Sequence, residues 1–225
     1  MIIAQFVAVV ILGYLLGSIP SGVLIGKLSV KVDVRQHGSG KVGATNVLRT
    51  AGKKAAVAVV VLDILKGMLA VVCAGLIVGS EYLVIGNIAF GMMVAQAMAA
   101  LAAIAGHNWS IFLKFHGGRG VATFFGGLLV LAPVAALFGG EVLIIGVGLT
   151  RFASLGSIAG AVGSYAILVP LTIISGFPIV LLAYTLIGAI VIIVMHRDNI
   201  ARLISGKERK VGEKGIGRGN LPPPA

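Results

Sequence analysis

Apolar stretches close to twenty residues long follow one another from Ile2 to Met195, and that pattern leaves the chain few ways to fold. About twenty residues of helix are needed to cross a hydrocarbon core of roughly 30 Å. Lipid offers peptide groups no hydrogen-bond partners, so each group must bond within its own segment, which selects the α-helix. A mean hydropathy of +1.09, with 58% hydrophobic and 11% charged residues, lies far outside the soluble range. The chain therefore reads as all-α, a polytopic integral membrane helical bundle. Spans are expected at 2–25, 55–78, 82–105, 121–138 (with Pro133 as a tolerated kink), 142–150, 158–174 and 179–195.

The polar residues are segregated. Every histidine, and every Lys or Arg except Lys66, falls in 27–54, 106–123, 151–157 or the tail from His196, whereas the connectors 79–81, 139–141 and 175–178 hold no basic residue. If successive spans alternate in direction, the four rich segments share one face, which the positive-inside bias makes cytoplasmic. Counting 142–150 as a crossing gives about seven spans, with the N-terminus outside and the C-terminus cytoplasmic. Treating it and 158–174 as re-entrant leaves five spans and a long apolar stretch unplaced.

The same bias accounts for most of the +11 net charge, so nucleic acid is not an expected partner. The remaining excess suits an anionic substrate or an anionic lipid surface. Cys73 is the only cysteine, and no acidic cluster or Cys/His set has metal-ligand spacing, so neither a metal nor a cofactor is expected. The N-terminus has no charged leader region or small-residue cleavage site, and its apolar run is expected to be retained as a span. Residues 1–212 read as one membrane-embedded domain and 213–225 as a disordered tail ending in Leu221-Pro-Pro-Pro-Ala225.

The chemistry lies in the polar segments. Residues 37–49 read His-Gly-Ser-Gly-Lys-Val-Gly-Ala-Thr-Asn-Val-Leu-Arg. Gly38, Gly40 and Gly43 let backbone N–H groups converge on an anion, while Ser39, Thr45 and Asn46 add donors and Arg49 can fork onto a phosphate. The run matches G-x-G-x-x-G, but no strand precedes it, so a dinucleotide fingerprint is a false match. In 106–123, Gly117-Gly118-Arg119-Gly120 leads straight into an apolar helix whose free N–H groups and dipole favour an anion, with Thr123 in the first turn. Trp109, Phe112 and Phe115 read as interfacial aromatics, and His107 beside them has no assigned role.

Ser154 and Ser157 offer hydroxyls between helices, with helix capping as the plain alternative. His196 and Asn199, three residues apart, share a helix face and can orient or deprotonate a hydroxyl. Asp63 and Lys66 are also three apart, but inside a span, where charge is costly and function is the default reading. Lys66 joins the phosphate-binding set with Asp63 as its structural partner; a purely structural ion pair is the alternative. There is no His-x4-Asp pair and no G-x-S-x-G elbow.

Several motifs in order resemble one known family. Gly17-Ser-Ile-Pro-Ser-Gly22, Gly38-Ser-Gly…Gly43-Ala-Thr-Asn…Arg49, Gly117-Gly-Arg-Gly-Val-Ala-Thr123, Arg151…Ser154-Leu-Gly-Ser157 and His196-Arg-x-Asn199-Ile…Gly206-x-Glu208 are similar to those of the bacterial acyl-phosphate:glycerol-3-phosphate acyltransferases, the PlsY family. The resemblance covers roughly residues 13–210. It implies an enzyme of the bacterial inner membrane, with seven helices and a cytoplasmic-side active site. Such an enzyme transfers an acyl group from acyl phosphate to the 1-hydroxyl of glycerol 3-phosphate, giving lysophosphatidate and phosphate for phospholipid biosynthesis.

By resemblance, Ser39, Arg49, His196 and Asn199 are the catalytic residues. Gly117, Gly118, Arg119 and Gly120 form a phosphate loop, and Glu208 is structural. Two positions depart from the family pattern: Lys41 stands where Asn is usual, and Arg119 where Lys is usual. The partners implied are the two phosphate substrates and the bilayer; separately from the resemblance, the chain is expected to act as a monomer. Acyl phosphate carries its own leaving group, so direct transfer needs neither a covalent intermediate nor a metal. Either His196 or a phosphate oxygen of the substrate takes the proton; the cations around the imidazole favour the second. The rival reading is a transporter or channel for phosphate or an organic anion. Against it, no internal repeat is evident and the polar motifs gather at one face.

Overall fold

The computed structural model describes residues 1–86 and 88–213. Among these residues the regular structure is nine α-helices, one short hairpin and two single-turn 3-10 helices (Val34–Gln36 and Ile111–Leu113): α1 (Ile2–Ser18), α2 (Ser21–Val30), α3 (Ala44–Val78), β1 (Leu83–Ile85), β2 (Ile88–Phe90), α4 (Met92–Asn108), α5 (Val121–Leu131), α6 (Pro133–Thr150), α7 (Ala153–Ser175), α8 (Ile179–Met195) and α9 (Arg197–Ile204). Apart from Glu213, the tail expected to be disordered lies outside the described residues.

Backbone chemistry sets the helix boundaries. Pro20 supplies no N–H and keeps Ile19 out of the helical region (φ −54°, ψ 118°), so the first apolar run divides into α1 and α2. Gly52 adopts φ 85° and ψ −178° inside α3, separating a short polar helical segment carrying Asn46 and Arg49 from the apolar part. The span expected from residue 55 is that apolar part.

Three expectations need correction. The stretch 82–105 does not start as helix, because Leu83–Ile85 and Ile88–Phe90 pair antiparallel, with Leu83 opposite Phe90, and helix begins only at Met92. Gly86 turns the chain there at φ 61°, and the strands contain the β-branched Val84, Ile85 and Ile88 and the aromatic Phe90. Pro133 is not a kink within one span; it is the first residue of α6, and Ala132 before it is extended at φ −150°. Finally, 139–141 is no connector, and 142–150 is no separate span. Both lie inside α6, and the turn joining it to α5 falls at Ala132.

By length and composition, four helical stretches among the described residues can cross a membrane: Ile2–Val30, Ala44–Val78, Pro133–Thr150 and Ala153–Ser175. The pair α8 and α9, bent by 61°, makes a fifth. Large apolar side chains such as Leu76, Ile144, Leu149, Ile173 and Ile174 point outward. An apolar exterior of this kind is suited to lipid rather than water.

Inside, Phe124, Leu128, Tyr184, Leu168 and Ile192 centre the main core, with α5 buried between α3, α4 and α8. Close backbone approach makes that possible. A Cβ on Gly126 would overlap the Ile64 carbonyl, and one on Gly67 would overlap the Thr123 carbonyl. Between α1 and α4, Gly13 and Gly17 rest in the same way on Ala99 and Ala103. This packing brings the loops 31–43 and 109–120, the start of α7 and the α8–α9 bend to one end of the bundle.

Candidate active site

Two groups of polar residues meet at that end, and the loop Gly117–Gly120 belongs to both. The first surrounds a cavity of about 250 Å³ lined by Arg35, Ser39, Gly40, Lys41, Val42, His116 and Gly117. Its wall is a loop in which Gly38 and Gly40 have positive φ (58° and 70°). Asn46 holds the loop shut from behind. Its Oδ1 accepts from the Ser39 amide (2.9 Å), and its Nδ2 donates to the carbonyls of Val34 (2.8 Å), Lys41 (2.9 Å) and His37 (3.2 Å). Asn46 is thus committed to shaping the loop. Gly43 caps α3 with open space around it, and Thr45 stands half-buried in the first turn. Arg35 lines the cavity while its guanidinium grips Asp33 (Nη2 to Oδ2, 2.6 Å). That ion pair holds the Asp33 carboxyl at about 2, chiefly through the Arg35 hydrogen bond.

The second group is built around the α8–α9 bend. Glu208 accepts from Asn199 Nδ2 (2.6 Å) and Ser154 Oγ (2.8 Å) on one oxygen, and from Arg202 Nε (2.8 Å) on the other. Burial alone would raise the Glu208 carboxyl, but these three bonds overcome it and hold the group below its usual range. The chain around Glu208 is strapped down. Arg49 Nη2 donates to the carbonyls of Arg209 and Lys210 (both 3.3 Å), and the Val211 amide donates to the Arg151 carbonyl (2.7 Å). Ser157 returns its hydroxyl to the Ala153 carbonyl (2.7 Å), leaving Ser154 as the serine tied into this group.

His196 is 2% exposed. Its Nδ1 donates to the Ile192 carbonyl (2.8 Å), which leaves Nε2 as an acceptor. Burial first, and the Arg119 charge second, push its imidazole down to about 4, so it is neutral near pH 7. Arg119 lies within electrostatic reach of Glu208, Arg202, Asp198 and Arg49. Burial lowers it to about 10, which still leaves a full positive charge. Among the described residues, Arg49 Nε, Arg119 Nε, Thr123 Oγ1 and Asn199 Oδ1 are buried without a hydrogen-bond partner. Such atoms are costly unless something binds them. Gly120 caps α5 at φ 75°, and no side chain caps the first N–H groups of that helix.

Lys66 is not at this surface. It is 4% exposed and engages Asp63 (2.8 Å) and His107 Nδ1 (2.7 Å). Sequence reasoning also missed several participants. Arg35 and Arg202 were two basic residues among many in the polar segments, and only their carboxylate partners distinguish them. Asn108 is 1% exposed with both amide atoms unpartnered. His107 adjoined aromatic residues that drew the interfacial reading. Its burial depends on α4 reaching the Gly117–Gly120 loop, which spacing does not encode.

The arrangement combines two guanidinium groups, a cationic cavity, an uncapped helix start and a neutral imidazole next to an amide. Chemically it suits holding two anionic groups near a hydroxyl. The profile of the glycerol-3-phosphate acyltransferase family matches residues 7–206. Glycerol-3-phosphate acyltransferase 3 of Dehalococcoides mccartyi is 59% identical over 214 residues, covering 95% of this chain and 99% of that protein. The glycerol-3-phosphate acyltransferase of Halalkalibacterium halodurans is 44% identical over 91% of this chain and 95% of its own. Among solved structures, PlsY (YgiH), an integral membrane glycerol 3-phosphate acyltransferase, superposes in its glycerol 3-phosphate form with a TM-score of 0.79 at 36% identity. That match covers 92% of this chain and 96% of the other. The lysophosphatidic acid form matches with a TM-score of 0.77 at 34% identity, over 91% and 94% of the two chains.

Proposed function

This chain belongs to the glycerol-3-phosphate acyltransferase family, and on that premise we propose that it moves an acyl group from acyl phosphate to the 1-hydroxyl of glycerol 3-phosphate. The products are 1-acyl-glycerol 3-phosphate and inorganic phosphate. The observation that carries this reading is the shared Gly117–Gly120 loop. Gly117 lines the Ser39 cavity, while the Arg119 charge acts on His196 and Glu208, which supports one site with two anion-binding halves. Family membership makes the chain an acyltransferase, which sets the transporter reading aside.

In the proposed reaction the 1-hydroxyl attacks the acyl carbonyl carbon, the C–O bond to phosphate breaks, and phosphate leaves with the bonding electrons. Bringing two phosphates together is the main obstacle, and Arg49, Arg119, Lys41 and the start of α5 offset their repulsion. Orientation supplies much of the remaining acceleration. Neutral His196, through Nε2, and Asn199, through Oδ1, accept from and align the glycerol hydroxyls. A base pushed down to about 4 is weak, so the hydroxyl proton passes to a phosphate oxygen. The mixed anhydride is already activated, and no covalent intermediate or metal is invoked.

The topology proposed is seven crossings (α1, α3, α4, α5, α6, α7 and α8) with the N-terminus outside. The site then opens to the cytoplasmic side of a bacterial inner membrane, and the enzyme acts as a monomer.

The test uses purified protein with acyl phosphate, acyl-coenzyme A or acyl carrier protein as donor. Phosphate release and product are expected with acyl phosphate only, and undiminished by a chelator. Transfer from either thioester alone contradicts the donor assignment.

A further inference from the structure

One buried polar network remains outside the mechanism. Asp63 and Lys66 on α3, His107 in the last turn of α4 and Ser21 at the start of α2 are each at most 6% exposed. Ser21 Oγ donates to Asp63 Oδ1 (2.9 Å), and Lys66 Nζ contacts Asp63 Oδ1 (2.8 Å), His107 Nδ1 (2.7 Å) and the Ile19 carbonyl (3.4 Å). Asp63 Oδ1 and His107 Nδ1 are 3.5 Å apart, too far to compete with the shorter contact from the ammonium. Lys66 therefore makes Nδ1 an acceptor and places the ring proton on Nε2.

The far side of that ring meets the phosphate loop. A Cβ on Gly118 would overlap His107 Nε2, and the Gly118 amide donates to the His107 carbonyl (3.0 Å). Gly117 rests on the carbonyls of His107 and Asn108 with no room for a side chain. Charges inside an apolar bundle are costly, and apolar residues would fill the same space. What the ions add is direction, because they fix the ring's rotation and tautomer.

Building on the proposed function, we propose that the Asp63–Lys66–His107 network is a positioning device that sets the Gly117–Gly120 loop against its substrate phosphate. Lys66 acts through His107 and touches no substrate. An error of about 1 Å in such a loop costs on the order of 100-fold in rate.

The test compares the parent with Asp63→Asn/Lys66→Met, which removes both charges together, and with His107→Asn. Melting temperature, kcat per folded molecule and KM for acyl phosphate and for glycerol 3-phosphate are measured. The expected result is folded protein whose kcat falls at least about tenfold, with KM rising at least about fivefold for one of the two phosphates only. Variants that fold and keep kcat and both KM values within about twofold overturn the proposal. So does a loss that follows the folded fraction alone, or failure of both variants to fold, since the network then supports the fold rather than the loop. An inactive parent counts against the function reading, whereas an active parent with unchanged variants counts against this inference alone.

Discussion

Arg119 and His196 show how far residue type alone carried the reading. A cation before a helix start and an imidazole three residues from an amide were visible in the sequence, and nearby cations already disfavoured a charged imidazole, but the burial of both groups was not visible. Burial and the Arg119 charge push His196 to its neutral form, whereas Arg119 keeps its charge although burial lowers it to about 10. Removing the Arg119 charge by Arg119→Gln is expected to lower kcat by about 10² to 10³, as for loss of one transition-state donor. Arg119→Lys, which restores the residue usual in the family pattern, should stay within roughly tenfold of the parent, since charge is kept and only the fork is lost. Steady-state kinetics on folded protein distinguishes the two.

For His196, the folded imidazole near 4 lies below its ordinary 6.5, so the unfolded chain binds a proton first as pH falls. Stability from this residue is complete above 6.5 and drains as pH drops towards 4. Thermal melts should therefore show a smaller loss between pH 7 and 5 in His196→Gln than in the parent. The same variant is expected to turn over near the parent rate at saturating substrate. A collapse of kcat there contradicts a proton transfer to phosphate that needs no imidazole.

At the scale of elements, legibility followed the length of the pattern. The polar segments and the long apolar helices α3, α7 and α8 could be read because their signals extend over many residues. The hairpin at 83–90 could not, because three-residue strands embedded in apolar sequence look like the start of a span. The division at Ala132 was hidden because proline is tolerated within membrane helices. Whether it kinks a helix or begins one depends on what α5 packs against. Glu208 was assigned a structural role by family resemblance alone, and the element it serves is now specific. It joins α7 through Ser154 to α9 through Asn199 and Arg202. Glu208→Ala strands three donors, two of them in the site. A loss of at least about 2 kcal/mol is expected from bonds of this charged kind. Denaturation of the purified variant should report that loss, together with a reduced kcat. An unchanged midpoint contradicts the role.

For the molecule as a whole, the basic face and the site coincide. The segments that carry nearly all of the basic residues also carry Ser39, Arg49, Arg119 and Glu208. With Cys73 replaced, single cysteines at Lys53 and Lys207 are expected to react with an impermeant reagent only from the cytoplasmic side, and those at Ser80 and Ser175 only from outside. All four positions are exposed. Any exchange between the sets breaks the seven-crossing topology.

In the proposed reaction two phosphate-bearing substrates share one site, and the acyl group passes directly from one to the other. The decisive measurement is phosphate release by purified enzyme given acyl phosphate, with and without glycerol 3-phosphate, alongside mass-spectrometric counting of product. One phosphate per 1-acyl-glycerol 3-phosphate, with release dependent on glycerol 3-phosphate, is the predicted result. Release that proceeds equally without glycerol 3-phosphate, or no release from well-folded protein, contradicts it.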